Sequence, residues 1–590
     1  TGFLFLCLLT AFTLFSENTI SANSHPVFLS GIVEGFYGRP WSHDERKEMI
    51  RFISSQGFNF YLYGPKDDFY HRSKWRLPYP ETAFKKLVEL IKLCKQQNII
   101  FSFAVSPGLS IKYSSDKDFS LLCHKFEAVY RQGVRHFSLF LDDIPPQLLQ
   151  PEHKRRFKTL GAAHSSLVNR LNQFLKQLDN GNQLLFVPTE YHGLKNTLYL
   201  STIAHQIDKT IPICWTGNSI VSREISENDL ITITGILKRK VFIWDNFPVN
   251  DYSTDKLFLA PITGRPANLK KYVSVYAANP MNQPESSKIP LMTIAAYLKS
   301  SENAPYHPWV EWENAIHRFS NGRAVPALLA FFRLFIKSRL LPDYPLSEEK
   351  VLERFITENA STGSMEALNS LLDQYIRMET LLQASGNPHF IKEIAPWLSK
   401  LRHLAVAAQS AATLFKTGRF GFHYDNVLNT KKVYAKMPQS VGDFFLENFI
   451  ERILIRFYRI NGKKTPIIRT NIPLSPRYPI SFLLDNDPNT YIHTLRAPKK
   501  GEFIEIEFPQ TQTVKDMKLL SSASGLAYHY LRNAVIEYKS NSGGYLLLSH
   551  ANGKLVTIKL PRAVQVKILR IRFVKDGSHP LAFREILTGL

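Results

Sequence analysis

Leu141-Asp142-Asp143-Ile144 puts two carboxylates side by side at the end of an apolar run. Neighbouring carboxylates repel when both are ionised, so one is expected to keep its proton to a higher pH and serve as an acid while the other stays charged. Paired acids also cap helices or hold metal ions, and the pair alone leaves those uses open. For glycoside cleavage the spacing adds a condition. A retaining enzyme with its own nucleophile needs carboxylates on opposite sides of the anomeric carbon, about 5–5.5 Å apart. Two neighbours on one strand end do not easily straddle a sugar. If this pair cleaves a glycoside, the nucleophile comes from the substrate, and the 2-acetamido oxygen of an N-acetylhexosamine is suitably placed. One aspartate then orients the amide N–H and supports a developing oxazolinium charge, while the other protonates the leaving oxygen.

The elements that position this pair follow from hydrophobic period. Between Ser30 and Pro280, apolar runs of strand length alternate with amphipathic stretches such as His43 to Ser55 and Glu81 to Gln97. The strands expected are Gly31 to Tyr37, Phe58 to Tyr63, Ile99 to Val105, His136 to Leu141, Leu184 to Val187, Ile211 to Trp215, Lys240 to Trp244 and Tyr272 to Ala277. Repeated βα units of this number predict closure into a (β/α)8 TIM barrel, whose strand C-termini open on one face. Polar residues directly follow the strands: Tyr37, Lys66-Asp67-Asp68, Ser106, Asp142-Asp143, Glu190-Tyr191, Thr216, Asp245-Asn246 and Asn279. The chemistry therefore converges on one pocket. No glycine-rich phosphate loop follows any strand, so an open nucleotide-binding sheet lacks support.

After Ile289 the texture becomes helical, with Ala324 to Lys337, Ser347 to Glu358, Met365 to Ala384 and Phe390 to Phe415 reading as an α-helical bundle used for packing. Beyond about Tyr424 the period shortens, as in Glu502 to Phe508 and Val564 to Ile568, and a C-terminal β-sandwich is expected. The resulting division is 1–24 signal peptide, 25–300 barrel, 301–423 bundle and 424–590 sandwich.

The chain has 590 residues, which at roughly 100–200 residues per domain means several domains. Hydrophobic residues at 44% and charged residues at 21% exclude a mainly disordered, collagen-like or multi-span membrane protein. The formal charge of +23 biases the surface toward acidic partners and says nothing of fold. Cys7, Cys94, Cys123 and Cys214 form no CxxC pair and no zinc spacing with histidine. The apolar run Phe3 to Phe15, followed by small residues around Ala22, has the order of a secretory leader, so a secreted or periplasmic location is expected, with a short membrane anchor as the other reading. No later apolar run is long enough for a membrane span.

Gly31 to Trp41 (GIVEGFYGRPW), Tyr61 to Asp68 (YLYGPKDD), Ser106 to Leu109 (SPGL), Leu141 to Ile144 (LDDI), Pro188 to Tyr191 (PTEY), Trp215 to Gly217 (WTG) and Ile243 to Asn246 (IWDN) resemble, in order, the strand-end motifs of glycoside hydrolase family 84. The resemblance covers about Phe28 to Ser300. It implies a retaining β-N-acetylglucosaminidase on a (β/α)8 barrel, working through an oxazoline with no metal and no cofactor. Carried to this chain, it makes Asp142 the residue that polarises the acetamido group and Asp143 the general acid and later base. Gly35 and Lys66 would contact sugar hydroxyls, Tyr191 would help position the acetamido oxygen, and Asn246, Asp251 and Asn279 would bond ring substituents. Trp244 and Tyr252 would wall the pocket. The implied partners are N-acetylglucosamine-containing glycans or glycoproteins, and not nucleic acid; oligomeric state is not legible.

The loop Pro145-Pro146 and the run His192-Gly193-Leu194 depart from the pattern and are expected to shape the leaving-group side. Two other readings stand beside the exo-acting enzyme: an endo-acting hexosaminidase on a hyaluronan-like acidic polymer, and a non-catalytic glycan-binding protein, which would not need both aspartates. The terminal segment, with Asp485 to Tyr491 followed by Gly501 to Phe508, is similar to discoidin-like (F5/8 type C) sandwiches, with Tyr491, Tyr528 and Tyr530 as unassigned ligand candidates.

Overall fold

The computed structural model describes residues 28–589 apart from 302, 339, 342–343, 345, 461–465, 476–482, 484–490, 523–528 and 541–542. The expected leader, Cys7, Asp485 to Thr490 and Tyr528 lie outside the described residues. Strands β1 (Leu29–Glu34), β2 (Phe60–Tyr63), β3 (Ile100–Val105), β4 (His136–Phe140), β5 (Gln183–Val187), β6 (Ile213–Trp215), β7 (Val241–Asp245) and β8 (Val273–Ala278) form a closed barrel in sequence order. All pairs are parallel, and β8 closes onto β1.

Period-two alternation sorts the side chains into two apolar layers. Val33, Phe60, Leu62, Ala104, Phe140, Leu185, Val187, Cys214, Phe242 and Trp244 fill the interior. Ile32, Tyr61, Phe103, Leu139, Phe186, Ile243 and Tyr276 face the surrounding helices. Helix starts use the expected chemistry: Ser42 and Glu45 form a capping box at His43–Ser55, and Ser226 and Asp229 another at Glu227–Leu237. β1 stops three residues before the expected end at Tyr37, which leaves Gly35, Phe36 and Tyr37 free to turn across the barrel mouth.

The helical region contains Pro308–Phe319, Val325–Arg333, Ser347–Thr357, Thr362–Ile376, Met378–Gln383 and Pro388–Thr417. It does not end near Tyr424: helices Phe422–Tyr434 and Phe445–Ile460 follow, and strand structure resumes only at Ile467. The expected change of period there is corrected for a physical reason. Phe445, Leu446, Phe449, Ile450, Ile453, Leu454 and Phe457 recur at helical spacing and join the same core as Leu401, Leu404 and Ala408.

This core continues into the barrel. Leu257, Phe258, Leu259 and Ala260, from the long segment between β7 and β8, are packed into it with Met281, Ile289 and Met292. Trp397 Nε1 and the Ser440 amide each donate to the Asp255 carbonyl at 2.8 Å, and Trp312 Nε1 donates to Leu259 O at 2.7 Å. Glu393 caps the helix Pro284–Lys299 from outside, accepting from the Glu285 and Ser286 amides at 2.9 and 2.7 Å. The helical region thus holds the segment that carries Asp251 and Tyr252.

The C-terminal region is an antiparallel sheet domain consistent with a sandwich. Its strands are β9 (Ile467–Thr470), β10 (Ile492–His493), β11 (Phe503–Ser521), β12 (Leu531–Lys539), β13 (Leu546–Gly553), β14 (Leu555–Phe573) and β15 (Ala582–Gly589). The order is β10-β15-β11-β14-β12-β13, with β9 on β11. Ile504, Ile506, Phe508, Val566, Leu569 and Ile571 lie in its core.

Candidate active site

Alternation carried one step past each strand aims the site residues inward. Phe140 faces the interior, Leu141 faces the helices, and Asp142 faces the interior again. The same count takes Val33 to Gly35 and Trp244 to Asn246. These residues meet in a pocket of about 230 Å³ at the C-terminal mouth of the barrel. Every residue singled out above lines it: Gly35, Lys66, Asp142, Asp143, Tyr191, Trp244, Asn246, Asp251, Tyr252 and Asn279. Val187, Cys214, Thr216, Ile220, Val221 and Val249 complete the wall, together with Tyr37. Tyr37 stood among the strand-end polar residues without a role; its place inside GIVEGFYGRPW was the available signal.

Asp142 and Lys66 form a buried ion pair, Nζ to Oδ2 at 3.0 Å, with side chains only 8% and 5% exposed. Burial works against the Lys66 charge, but Asp142, Tyr37 and Asp143 together outweigh it and the ammonium pKa is raised. Lys66 also lies 5.2 Å from the ring centre of Tyr37 and 5.8 Å from that of Trp244. The other oxygen of Asp142, Oδ1, is buried and has no hydrogen-bond partner among the described residues.

Asp143 leaves the alternation because its φ is 51°, in the left-handed region that aspartate tolerates better than most side chains. That turn brings its carboxylate to the mouth. There Tyr37 donates to Oδ2 at 2.7 Å and Tyr191 to Oδ1 at 3.1 Å. Burial pushes the carboxyl up, but the Tyr37 hydrogen bond, the Lys66 charge, Tyr191 and Arg72 together hold it below the ordinary carboxylate range. The expectation that mutual repulsion would keep a proton on one of the pair is therefore not met at Asp143. Lys66 and the two phenols offset the repulsion.

The sugar-facing polar groups are linked. Trp244 Nε1 and Asn279 Nδ2 both donate to Asn246 Oδ1, at 3.0 and 2.9 Å, and Asn246 Nδ2 donates to Ile220 O at 2.7 Å. Asn279 Oδ1 is buried and has no donor among the described residues. Asp251 Oδ2 accepts from the Tyr37 amide at 2.9 Å, and burial holds its carboxyl above the usual range. Gly35 is required by close approach: a Cβ there would stand 2.2 Å from Trp244 Cζ2. Tyr37 and Tyr252 form an exposed rim. The loop bearing Tyr37 is pinned by Asn282, whose Nδ2 donates to the Tyr37 and Arg39 carbonyls at 2.8 Å.

The remaining strand-end acids turn away. Asp68 accepts from the Tyr63 and Tyr79 hydroxyls, Glu190 accepts from Thr197, and Asp245 is paired with Arg265.

Residues 30–333 match the family model described as beta-N-acetylglucosaminidase. The chain belongs to this family of glycoside hydrolases. Among curated proteins, the Protein O-GlcNAcase of Rattus norvegicus and that of Mus musculus are each 36% identical over 282 residues, covering 47% of this chain and 30% of theirs. The chain therefore matches about a third of the length of those relatives. Among solved structures, a mutant of the Thermobaculum terrenum O-GlcNAc hydrolase superposes with a TM-score of 0.68 at 29% identity, covering 74% of this chain and 97% of that one. A structure of CpGH84B gives a TM-score of 0.62 at 27% identity, covering 72% and 77%.

Proposed function

We propose that this family member removes terminal β-linked N-acetylglucosamine from glycans or glycoproteins, O-GlcNAc type included, with retention and through an oxazoline formed by the substrate's own acetamido group. The observation that carries the reading is the bonding of Asp142: one oxygen is fixed by Lys66, and the other is a buried acceptor with no donor among the described residues. An unsatisfied buried acceptor costs about 1–3 kcal/mol, which a ligand donor recovers. The N–H of a 2-acetamido group is such a donor, and holding it turns the carbonyl oxygen toward the anomeric carbon. Asp142, held at its other oxygen by Lys66, then stands beside the oxazolinium charge.

Asp143 is then the acid that protonates the leaving oxygen and the base that activates water in the second half. Tyr191, bonded to Asp143, stands beside the same arm. Asn279, Asn246 and Asp251 bond the ring hydroxyls, and Trp244 and Gly35 give the ring a flat floor. Removal of a single terminal residue is supported by the modest volume and by Asp251 and Tyr252 on the β7–β8 segment closing one side. Export follows from the apolar run at 3–15 and belongs to the same proposal.

The test is a pair of aryl β-glycosides that differ only at C2. The N-acetylglucosaminide is expected to turn over and the plain glucoside not; efficient cleavage of the glucoside removes the substrate-assisted route. Asp143→Asn is expected to lower turnover by about 10² or more on a poor leaving group and by less on a good one. Because Tyr37, Lys66, Tyr191 and Arg72 favour the Asp143 carboxylate, kcat/KM on the poor leaving group is expected to rise as pH falls from 8 toward 5, since the protonated fraction grows in that direction.

A further inference from the structure

Asp143 is faced by charged or titratable groups from several loops. Tyr37 after β1 and Tyr191 after β5 donate to its two oxygens, and Lys66 and Arg72 after β2 add positive charge. Asp142 is its chain neighbour, and Asp251 after β7 is close enough to feel its charge. With both oxygens accepting from phenols, Asp143 has the bonding of a carboxylate. Protonation would weaken these oxygens as acceptors, so two donated phenol hydrogen bonds favour the carboxylate. The arrangement suits the water-activating half of the reaction and works against the proton-donating half.

Arg72 stands behind this arrangement and does not line the pocket. Its Nη1 donates to the Tyr37 hydroxyl oxygen at 3.0 Å, and its guanidinium carbon lies 5.5 Å from the centre of the Tyr37 ring. Among the described residues, Tyr37 is its side-chain partner, and no carboxylate pairs with it. A hydroxyl that accepts from a cation becomes a stronger donor onward, so the run Arg72 to Tyr37 to Asp143 is cooperative.

We propose that Arg72 is a positioning residue acting through Tyr37: it fixes Asp143 as a hydrogen-bond acceptor and so sets the balance between the proton-donating and water-activating halves of the reaction. The proposal rests on Asp143 being the acid and base named above. Removing Arg72 takes away a cation and weakens the Tyr37 donation, and both changes favour protonated Asp143. The step that needs the proton then persists to higher pH, while the step that needs the carboxylate loses rate at low pH.

The experiment is the pH dependence of kcat/KM for the full chain on a phenyl and a 4-nitrophenyl β-N-acetylglucosaminide. The proteins are wild type, Arg72→Met, Arg72→Lys, Tyr37→Phe and the two double variants. With the phenyl substrate, Arg72→Met is expected to move the alkaline limb upward by about half to one pH unit, below the ~1–3 units of a direct ion pair because the contact is relayed. Arg72→Lys is expected to move it less, and in the Tyr37→Phe background each change is expected to add only the part of its shift that comes from the Arg72 charge itself. The 4-nitrophenyl profile, with little need of a proton, is expected to move little. An unmoved limb in folded Arg72→Met, or a full additional shift in the Tyr37→Phe background, overturns the proposal. If Arg72→Met does not fold, Arg72→Lys with and without Tyr37→Phe makes the same comparison. Asp143→Asn separates the two levels: if it cleaves the phenyl substrate at the wild-type rate, the assignment of Asp143 fails, and the proposal with it. If it loses that activity while Arg72 variants keep the wild-type profile, only the role of Arg72 is lost.

Discussion

Glu34 on β1 and Asp245 on β7 point out of the barrel, whereas Asp142 after β4 points in, and the protein bonds them differently. Glu34 receives the Arg46 guanidinium at 2.7–3.0 Å and the Tyr61 hydroxyl. Asp245 receives two bonds from Arg265 at 2.8 Å and one from Tyr276 at 2.6 Å. Both outer acids are saturated by the fold itself. Asp142 has Lys66 on one oxygen and, among the described residues, no donor to the other, and Asn279, across the barrel mouth after β8, likewise keeps Oδ1 without a donor among them. A saturated buried charge holds helices to strands; an unsaturated one is a place for a ligand.

The contrast breaks first at the outer layer. Arg265→Met leaves Asp245 charged, buried and short of its partner, and is expected to cost about 3–5 kcal/mol in urea unfolding. The kcat of the folded fraction is expected to stay near wild type, and a large loss of kcat without loss of stability would erase the distinction. Next is Asp142→Asn, which keeps an oxygen for Lys66 but loses the charge beside the developing oxazolinium. It is expected to lower kcat/KM by about 10², or ~2.7 kcal/mol, to the same degree on good and poor leaving groups. A loss confined to poor leaving groups would assign it to proton transfer instead. The smallest effect sharpens the comparison: Asn279→Ala removes one acceptor held for the sugar, worth about 0.5–1.5 kcal/mol in kcat/KM, with the melting temperature unchanged. A drop in melting temperature with intact kcat/KM would make Asn279 part of the scaffold.

Much of this architecture was legible beforehand, for a definite reason. The strands of a closed parallel barrel are buried on both faces and read as short apolar runs, so all eight were found within a few residues of their ends. The inward-facing site residues follow by counting in twos from Phe140, Val33 and Trp244. The helical region was legible as far as its stripes were read, and its continuation past Tyr424 was missed because the strand-like texture of the later chain was extended backward over Phe445–Ile460. The hold that Trp397 and Ser440 keep on the segment bearing Asp251 joins positions far apart in the chain through the Asp255 carbonyl, which no local pattern announces.

By itself the sequence determined the barrel, the one face on which polar residues gather, and the adjacency of Asp142 and Asp143, because period and chain connectivity are local properties. Only the tertiary structure decided the hydrogen bonds that lower the Asp143 pKa, the second oxygen of Asp142 that no described residue bonds, and the placing of Arg72 behind Tyr37. These depend on which groups from different loops come within about 3 Å of one another, and hydrogen bonding falls away too steeply with distance and angle for the order of residues alone to fix it.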